Sequence, residues 1–354
     1  VVAFPLVKWA AGLVLALILY LCAWPVPVSP APWSPPRSPG FAGAYAPNEA
    51  LAGADRLEVG PGPEDVAVGP DGLLYTGLAD GRIVRLRTDG GGLQEFARTG
   101  GRPLGLRFAP GGRLVVADAA RGLLAVGPGG EVEVLATAHG GVPFRLTDDL
   151  DVASDGTVYF SDASSRFGLG DSHADLVEHR ASGRLLAWDP RTRATTLLRD
   201  DLFFANGVAL APDGSFVLVA ETGAYRLRRH WLRGPRAGQA DVLLDNLPAF
   251  PDGVLGDGRG GFWVALVSPR SGMLDAAHPY PMVKKALMRL PAPLRPGPQR
   301  HGCALRVDAE GRVTHTLQDP AGRVALVTNV VAHEGVLFLG TLEDTALFRV
   351  ARPD

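Results

Sequence analysis

The chain is short of most groups that would declare a function at once. It has two cysteines in 354 residues. One of them, Cys22, lies in an apolar N-terminal stretch, which argues against a disulfide framework and leaves the redox compartment unread. It lacks an excess of either charge: 35 basic residues stand against 37 acidic ones, so no electrostatic case for a nucleic-acid partner exists. Histidine is sparse, and His139, His173, His179, His278, His301 and His333 fall in loops or turns and His230 on a strand pattern, so no motif assigns a general base. What the chain has in quantity is glycine and proline, 45 and 30 residues. In a polar chain they would signal disorder, but with 46% hydrophobic residues they punctuate apolar strand runs as turns. A chain of this length buries a large core.

One phrase recurs six times: a glycine-containing turn followed at once by strand formers. It reads PDGLLYTGL from Pro70, PGGRLVVAD from Pro110, SDGTVYFSD from Ser154, PDGSFVLVAE from Pro212, RGGFWVALV from Arg259 and HEGVLFLGT from His333. Most intervals run roughly 40 to 60 residues, the period of a β-propeller, in which each small antiparallel sheet needs its neighbours to bury both faces. The fold class is therefore all-β, a six-bladed β-propeller over residues 54–354. The last blade runs out of chain after TALFRVA, so residues 54–60 (ADRLEVG) are expected to supply its missing outer strand. Blades three and five carry long interruptions, about 166–182 and 268–298, and loops of that length are usually functional.

Counting back seven residues from the second residue of the turn finds Glu64, Asp148 and Asn206 in blades one, three and four; in blade five Asp252 lies eight back. Singly these are ordinary residues of turns and strand ends. Their shared phase sets them on one ring around the propeller axis, and converging carboxylates repel one another unless a cation neutralises them. Oxygen donors without Cys or His suit a hard divalent ion, calcium first. Asp65 and Asp149 adjoin two ring members, and Arg102 lies near the start of blade two, where it could bind a substrate carbonyl or pair with a ring carboxylate.

The N-terminus is a different object. Trp9–Val28 carries no charge and matches the about 20 residues needed to span a bilayer, so residues 1–28 read as a signal anchor or transmembrane helix, in preference to a cleaved signal peptide. Residues 29–53 are proline-rich and read as an extended stalk holding an exported, membrane-anchored propeller.

The segments EDVAVGPDG, TDDLDVASDGTVYFSDASSRF, FFANGVALAPDGSFVLVAET and LPAFPDGVLGDGRGGFWVAL resemble the strictosidine-synthase-like superfamily of six-bladed propellers. The likeness runs from about Arg56 to Val350 and is greatest to the membrane-anchored adipocyte plasma membrane-associated branch; senescence marker protein 30 (gluconolactonase) and the paraoxonases are also members. The resemblance implies a catalytic calcium held at Glu64, Asp148, Asn206 and Asp252, with Asp148 departing from the usual Asn. It matches Asp65 and Asp149 to the residues that hold a second, structural calcium in paraoxonases, while read by themselves they are equally surface acids. It also sets Thr328 where strictosidine synthase has its catalytic Glu; a threonine cannot take that proton at neutral pH, so amine–aldehyde condensation is not expected. The leading expectation is a calcium-dependent lactonase or arylesterase acting on a small ester or lactone, with Asp252 or a metal-bound water as base and nucleophile, and Arg102 and Thr328 as candidate substrate contacts. The alternatives are a non-catalytic binding propeller and, third, a strictosidine-synthase-like lyase.

Overall fold

In a computed structural model that describes residues 3–354, with side chains from Lys8 onward, six four-stranded antiparallel sheets stand around a common axis. Blade one runs from Ala67 to Arg98, blade two from Pro103 to Ala136, blade three from Thr147 to Leu202, blade four from Ala205 to Leu244 and blade five from Ala249 to Asp319. Blade six takes Val327–His333, Val336–Thr341 and Ala346–Ala351 from the C-terminal end, and its outer strand, Asp55–Glu58, from the other end of the globular part. Asp55 pairs with Arg349 and Glu58 with Ala346, the closure expected of ADRLEVG and TALFRVA. Joining the two ends in one sheet removes an open edge.

The six turn phrases work through one backbone device. Gly72, Gly112, Gly156, Gly214, Gly260 and Gly335 all have positive φ, between 67° and 87°, where a Cβ is disfavoured. Gly260, not Gly261, is the blade-five member, so Arg259 occupies the turn's second place and Asp252 is seven residues back like the others. Blade six is one residue tighter: His333 pairs directly with Val336 across the two-residue turn Glu334-Gly335, both at positive φ. That shift brings Thr328 to the ring position.

Separate apolar layers fill the spaces between successive blades. Val116, Leu124 and Ile83 pack blade two on blade one, Phe160 and Trp188 meet Val115 and Leu123 between blades two and three, and Leu218, Tyr225 and Phe262 join blades four and five. Full burial of a side chain such as Phe160 contributes about 1.5–3 kcal/mol. The interruptions are helical rather than irregular. Blade three carries α2 (Ser172–Glu178), after the N-terminal α1 (Ala3–Ala23); blade five carries α3 (Gly272–Ala277) and α4 (Pro281–Arg289).

The N-terminal region departs from the expectation of a spacer. α1 ends at Ala23, so Trp24–Val28 is not part of it, and among the described residues no helix is long and apolar enough to cross a membrane. The end of α1 is held by α4: Arg289 donates through Nε to Trp24 O and through Nη1 to Leu21 O, both at 2.6 Å, which satisfies carbonyls a helix end leaves unpaired. The proline-rich residues that follow are a strap laid over the helices. Ala31 N donates to Glu178 O, Trp33 N to His278 O, and the Trp33 ring stacks on His179 at 4.0 Å. Further on, Arg270 binds Pro36 O, Phe41 stacks on His301 at 4.6 Å, and Leu51 is fully buried. Proline forbids a helix or an inner strand, but it leaves carbonyls and rings free to pack, and here they do.

Candidate functional site

Each innermost strand begins at the axis, and there its pairing is irregular. Register shifts occur along the innermost strands of blades two to six, at 103–105, 147–150, 205–208, 250–254 and 327–329. In blade one the ladder starts only at Ala67, after Glu64 and Asp65. A regular strand sends successive side chains to opposite faces, whereas a bulge re-aims one of them. Neighbours in sequence therefore face the axis together: Glu64 with Asp65, Asp148 with Asp149, Asp252 with Gly253 and Thr328 with Asn329, joined by Asn206, Leu104 and Gly105, line one axial cavity of about 10 Å³. That is room for a single water- or ion-sized sphere. The glycines beside the ring allow the blades to close on it: a Cβ on Gly253 would stand 2.4 Å from Thr328 O, and one on Gly105 2.8 Å from the Asp149 Cα.

The ring acids are buried and poorly compensated. Asp148 and Asp252 are held far above the usual carboxylate range, first by desolvation and then by the negative charge of Glu64, with Asp252 and Asp149 adding at Asp148 and Asp149 at Asp252; Arg102 opposes at Asp148 and an Asn206 hydrogen bond at Asp252. Burial also raises Glu64, against Arg102, whose Nη2 lies 2.7 Å from Glu64 Oε2 while Nη1 donates to Gly62 O. Arg102 is thus engaged in an ion pair rather than offered to a substrate. Thr328 likewise turns inward: its hydroxyl donates to Glu64 O at 2.6 Å and steadies that carboxylate's backbone. The expected ligands share one cavity, yet among the described residues no three or more His, Cys, Asp or Glu side chains are drawn together as a metal-ligand set. The donors fit a hard cation in chemistry and in unmet charge; their rotamers here serve Arg102 and one another.

Asp65 and Asp149 are neither surface acids nor open ligands. Asp65 accepts from Val66 N, Leu106 N, Asn329 Nδ2 and Arg107 Nη1, and Asp149 from Leu150 N and Val208 N. Each thereby pairs the exposed N–H edge of the next blade's innermost strand, which would otherwise be unsatisfied. Arg107, buried between them, went unnoticed in the sequence because a strand arginine normally reads as solvent-facing.

Beside the ring lies a second cavity of about 180 Å³, roofed by α2, α3 and residues 296–298. Leu176, Phe204, Phe250, Val267 and Leu274 line it. Phe204 and Phe250 stand two residues before Asn206 and Asp252, which places this apolar chamber at the mouth of the ring. His173 also lines it, with its pKa lowered by burial so that the imidazole is neutral. The only sequence signal for His173 was its place in the blade-three interruption.

Comparison with known proteins adds to this geometry. A strictosidine synthase family model matches residues 148–235, and a strictosidine synthase-like N-terminal model matches residues 43–86. The chain is 37% identical to the adipocyte plasma membrane-associated protein of Salmo salar, across 98% of this chain and 89% of that one, and 36% identical to the human protein of that name across 92% and 84%. It is 37% identical to Arabidopsis thaliana strictosidine synthase-like protein 3 across 79% and 80%. Among solved structures it is similar to a gluconolactonase from Xanthomonas campestris (TM-score 0.63, 18% identity, 94% and 99% covered) and to the calcium-binding protein regucalcin from Agrobacterium tumefaciens (0.57, 16%, 83% and 93%). At those identities the structural likeness speaks for the fold.

Proposed function

The chain belongs to the strictosidine synthase-like family, with the adipocyte plasma membrane-associated proteins among its members, and from that premise we propose that its axial ring hydrolyses esters or lactones with the aid of one divalent cation, calcium by preference. The observation that carries this reading is a buried, under-compensated set of acids around an ion-sized cavity at the foot of an apolar chamber. A hard cation held by oxygens of Glu64, Asp148, Asn206 and Asp252 would supply a Lewis acid for the carbonyl. The chain's own residues do the rest. Leu176, Phe204, Phe250 and Leu274 receive the hydrocarbon part of the substrate and exclude water. Asp252, oriented by an Asn206 hydrogen bond, is the carboxylate assigned to take the proton of the attacking water. Neutral His173 offers a second acceptor at the chamber wall. Relatives of the same fold described as a gluconolactonase and a calcium-binding protein support the reading. Strictosidine-type condensation is not proposed, because Thr328 is committed to Glu64 O and has no basicity to lend.

A non-catalytic binding propeller is the second reading, favoured by the Arg102–Glu64 pair, which already occupies one ring acid. A panel of lactones and aryl esters, assayed with added calcium and with chelator, separates the two. Chelator-sensitive turnover supports the hydrolase; no turnover by calcium-loaded protein moves the assignment to the binding propeller.

We further propose that residues 9–28 tether an exported propeller to a membrane, as the names of the plasma membrane-associated relatives suggest for those proteins. Because Arg289 clasps the end of α1, the helical roof of the chamber would face that membrane. Retention of the full chain in a carbonate-washed membrane pellet, and its release when residues 1–23 are deleted, is the expected result; full release of the intact chain would overturn it.

A further inference from the structure

One step along the innermost strands from the ring, the buried Asp65 and Asp149 and the half-buried Asp151 form a second group of acids, and this group contains its own cation. Arg107 is 8% exposed. Its Nη1 lies 2.6 Å from Asp65 Oδ2 and its Nη2 3.8 Å from Asp149 Oδ1. The opposing charges of Asp65, Asp149 and Asp151 hold its pKa above the ordinary arginine value despite burial. The carboxylate oxygens are also spoken for. Asp65 takes four donors in all, Asp149 bonds Leu150 N and Val208 N, and Asp151 bonds Val152 N at 2.8 Å and Leu210 N at 2.8 Å. A divalent ion bound here would lose those lone pairs to protein donors and would sit against a fixed positive charge in a poorly screened interior, where like charges repel strongly.

We propose that Arg107 is a permanent internal counter-ion that occupies the place of a second, structural divalent cation, so that Asp65 and Asp149 bind no metal and the propeller's stability does not depend on one. The calcium that the resemblance implies at Asp65 and Asp149 does not fit this site. Cation binding is confined to the ring of Glu64, Asp148, Asn206 and Asp252. The inference does not rest on hydrolysis, and only the expectation of an ion at the ring comes from the functional reading above.

The test counts ions and measures unfolding, with full-length protein stripped by chelator and titrated with calcium in a calorimeter. Wild type should bind at most one calcium per chain, and its midpoint of unfolding should rise in calcium by no more than the binding of that single ring ion accounts for. Arg107→Met should gain one further calcium and acquire a calcium-dependent midpoint, whereas Arg107→Lys, which keeps the charge, should gain none. Two calcium ions on wild type, or a folded Arg107→Met protein with no added site, would overturn the proposal. If Arg107→Met does not fold even in calcium, the double variant Asp148→Ala/Asp252→Ala decides, since it removes two ring donors outright and leaves Asp65 and Asp149 intact. Zero ions on it supports the proposal and a retained ion defeats it. A wild type that binds no calcium at all would sink the functional reading and leave the role of Arg107 standing.

Discussion

Asp148 and Asp149 are adjacent in the chain and equally buried, yet they live under different rules. Asp149 bonds two backbone N–H groups and faces Arg107, and its pKa rises only to about 7 against strong desolvation. Asp148 has Glu64, Asp252 and Asp149 for neighbours, and all of them push its pKa the same way as burial does. The first is a strut whose charge is spent on holding two blades together. The second is stored electrostatic strain, which a fold retains where something positive is to be bound. Burial alone therefore says little about what an acid does; its donors decide.

The sharpest way to test that contrast is to neutralise one acid of each kind. Asp252→Asn should lower hydrolysis on the order of a hundredfold or more, the scale of general-base catalysis, while leaving the unfolding midpoint unchanged or higher because repulsion is relieved. Asp148→Asn should keep most activity, since the amide still offers an oxygen. If Asp148→Asn proves dead and Asp252→Asn active, the two roles are interchanged.

In the other group the cost should fall on stability. Asp149→Ala strips partners from Val208 N and Leu150 N and leaves Arg107 short of a counter-charge, a loss of about 3–5 kcal/mol by analogy with broken buried ion pairs. Denaturant unfolding of this variant beside Asp252→Asn measures the comparison directly; a larger destabilisation in Asp252→Asn would dissolve it.

Close approach of the blades can be probed without touching a charge. Gly253→Ala puts a Cβ against Thr328 O, and overpacking of that kind costs about 1–3 kcal/mol. Unfolding in denaturant should register it, and a neutral result would mean that blades five and six can move apart without penalty.

The smallest effect concerns the strap. Burial, with the charge of Lys284 adding to it, depresses His179 to about 4, and burial with His179 and Lys284 depresses His278 to about 3. Unfolded imidazoles titrate near about 6.5, so the loosened state binds more protons below that pH. The stabilisation is complete above about pH 6.5 and is lost as pH falls through about 4 towards 3. Hydrogen exchange at residues 28–38 should quicken over that window before the blades respond, and His179→Phe should shrink the change. Exchange that is flat with pH would show that the Trp33–His179 stack does not hold the strap.

The repeat of turn and strand determined the propeller, its six blades, its closure by Asp55–Glu58 and the phase that collects Glu64, Asp148, Asn206 and Asp252, because all of these follow from local turn chemistry repeated at a period. Even the apparent exception in blade five was a matter of which glycine turns left-handed. What pairs with what across blades was invisible, because contacts such as Arg102–Glu64 and Arg107–Asp65 join residues about 40 apart whose strands run beside each other only after the ring closes. Tertiary structure alone decided which acids are satisfied, that Trp33 packs on His179, and that two short helical interruptions roof a chamber over the ring. Periodicity reports how each segment folds. The charge balance of a buried site is a property of the neighbours that the closed ring supplies.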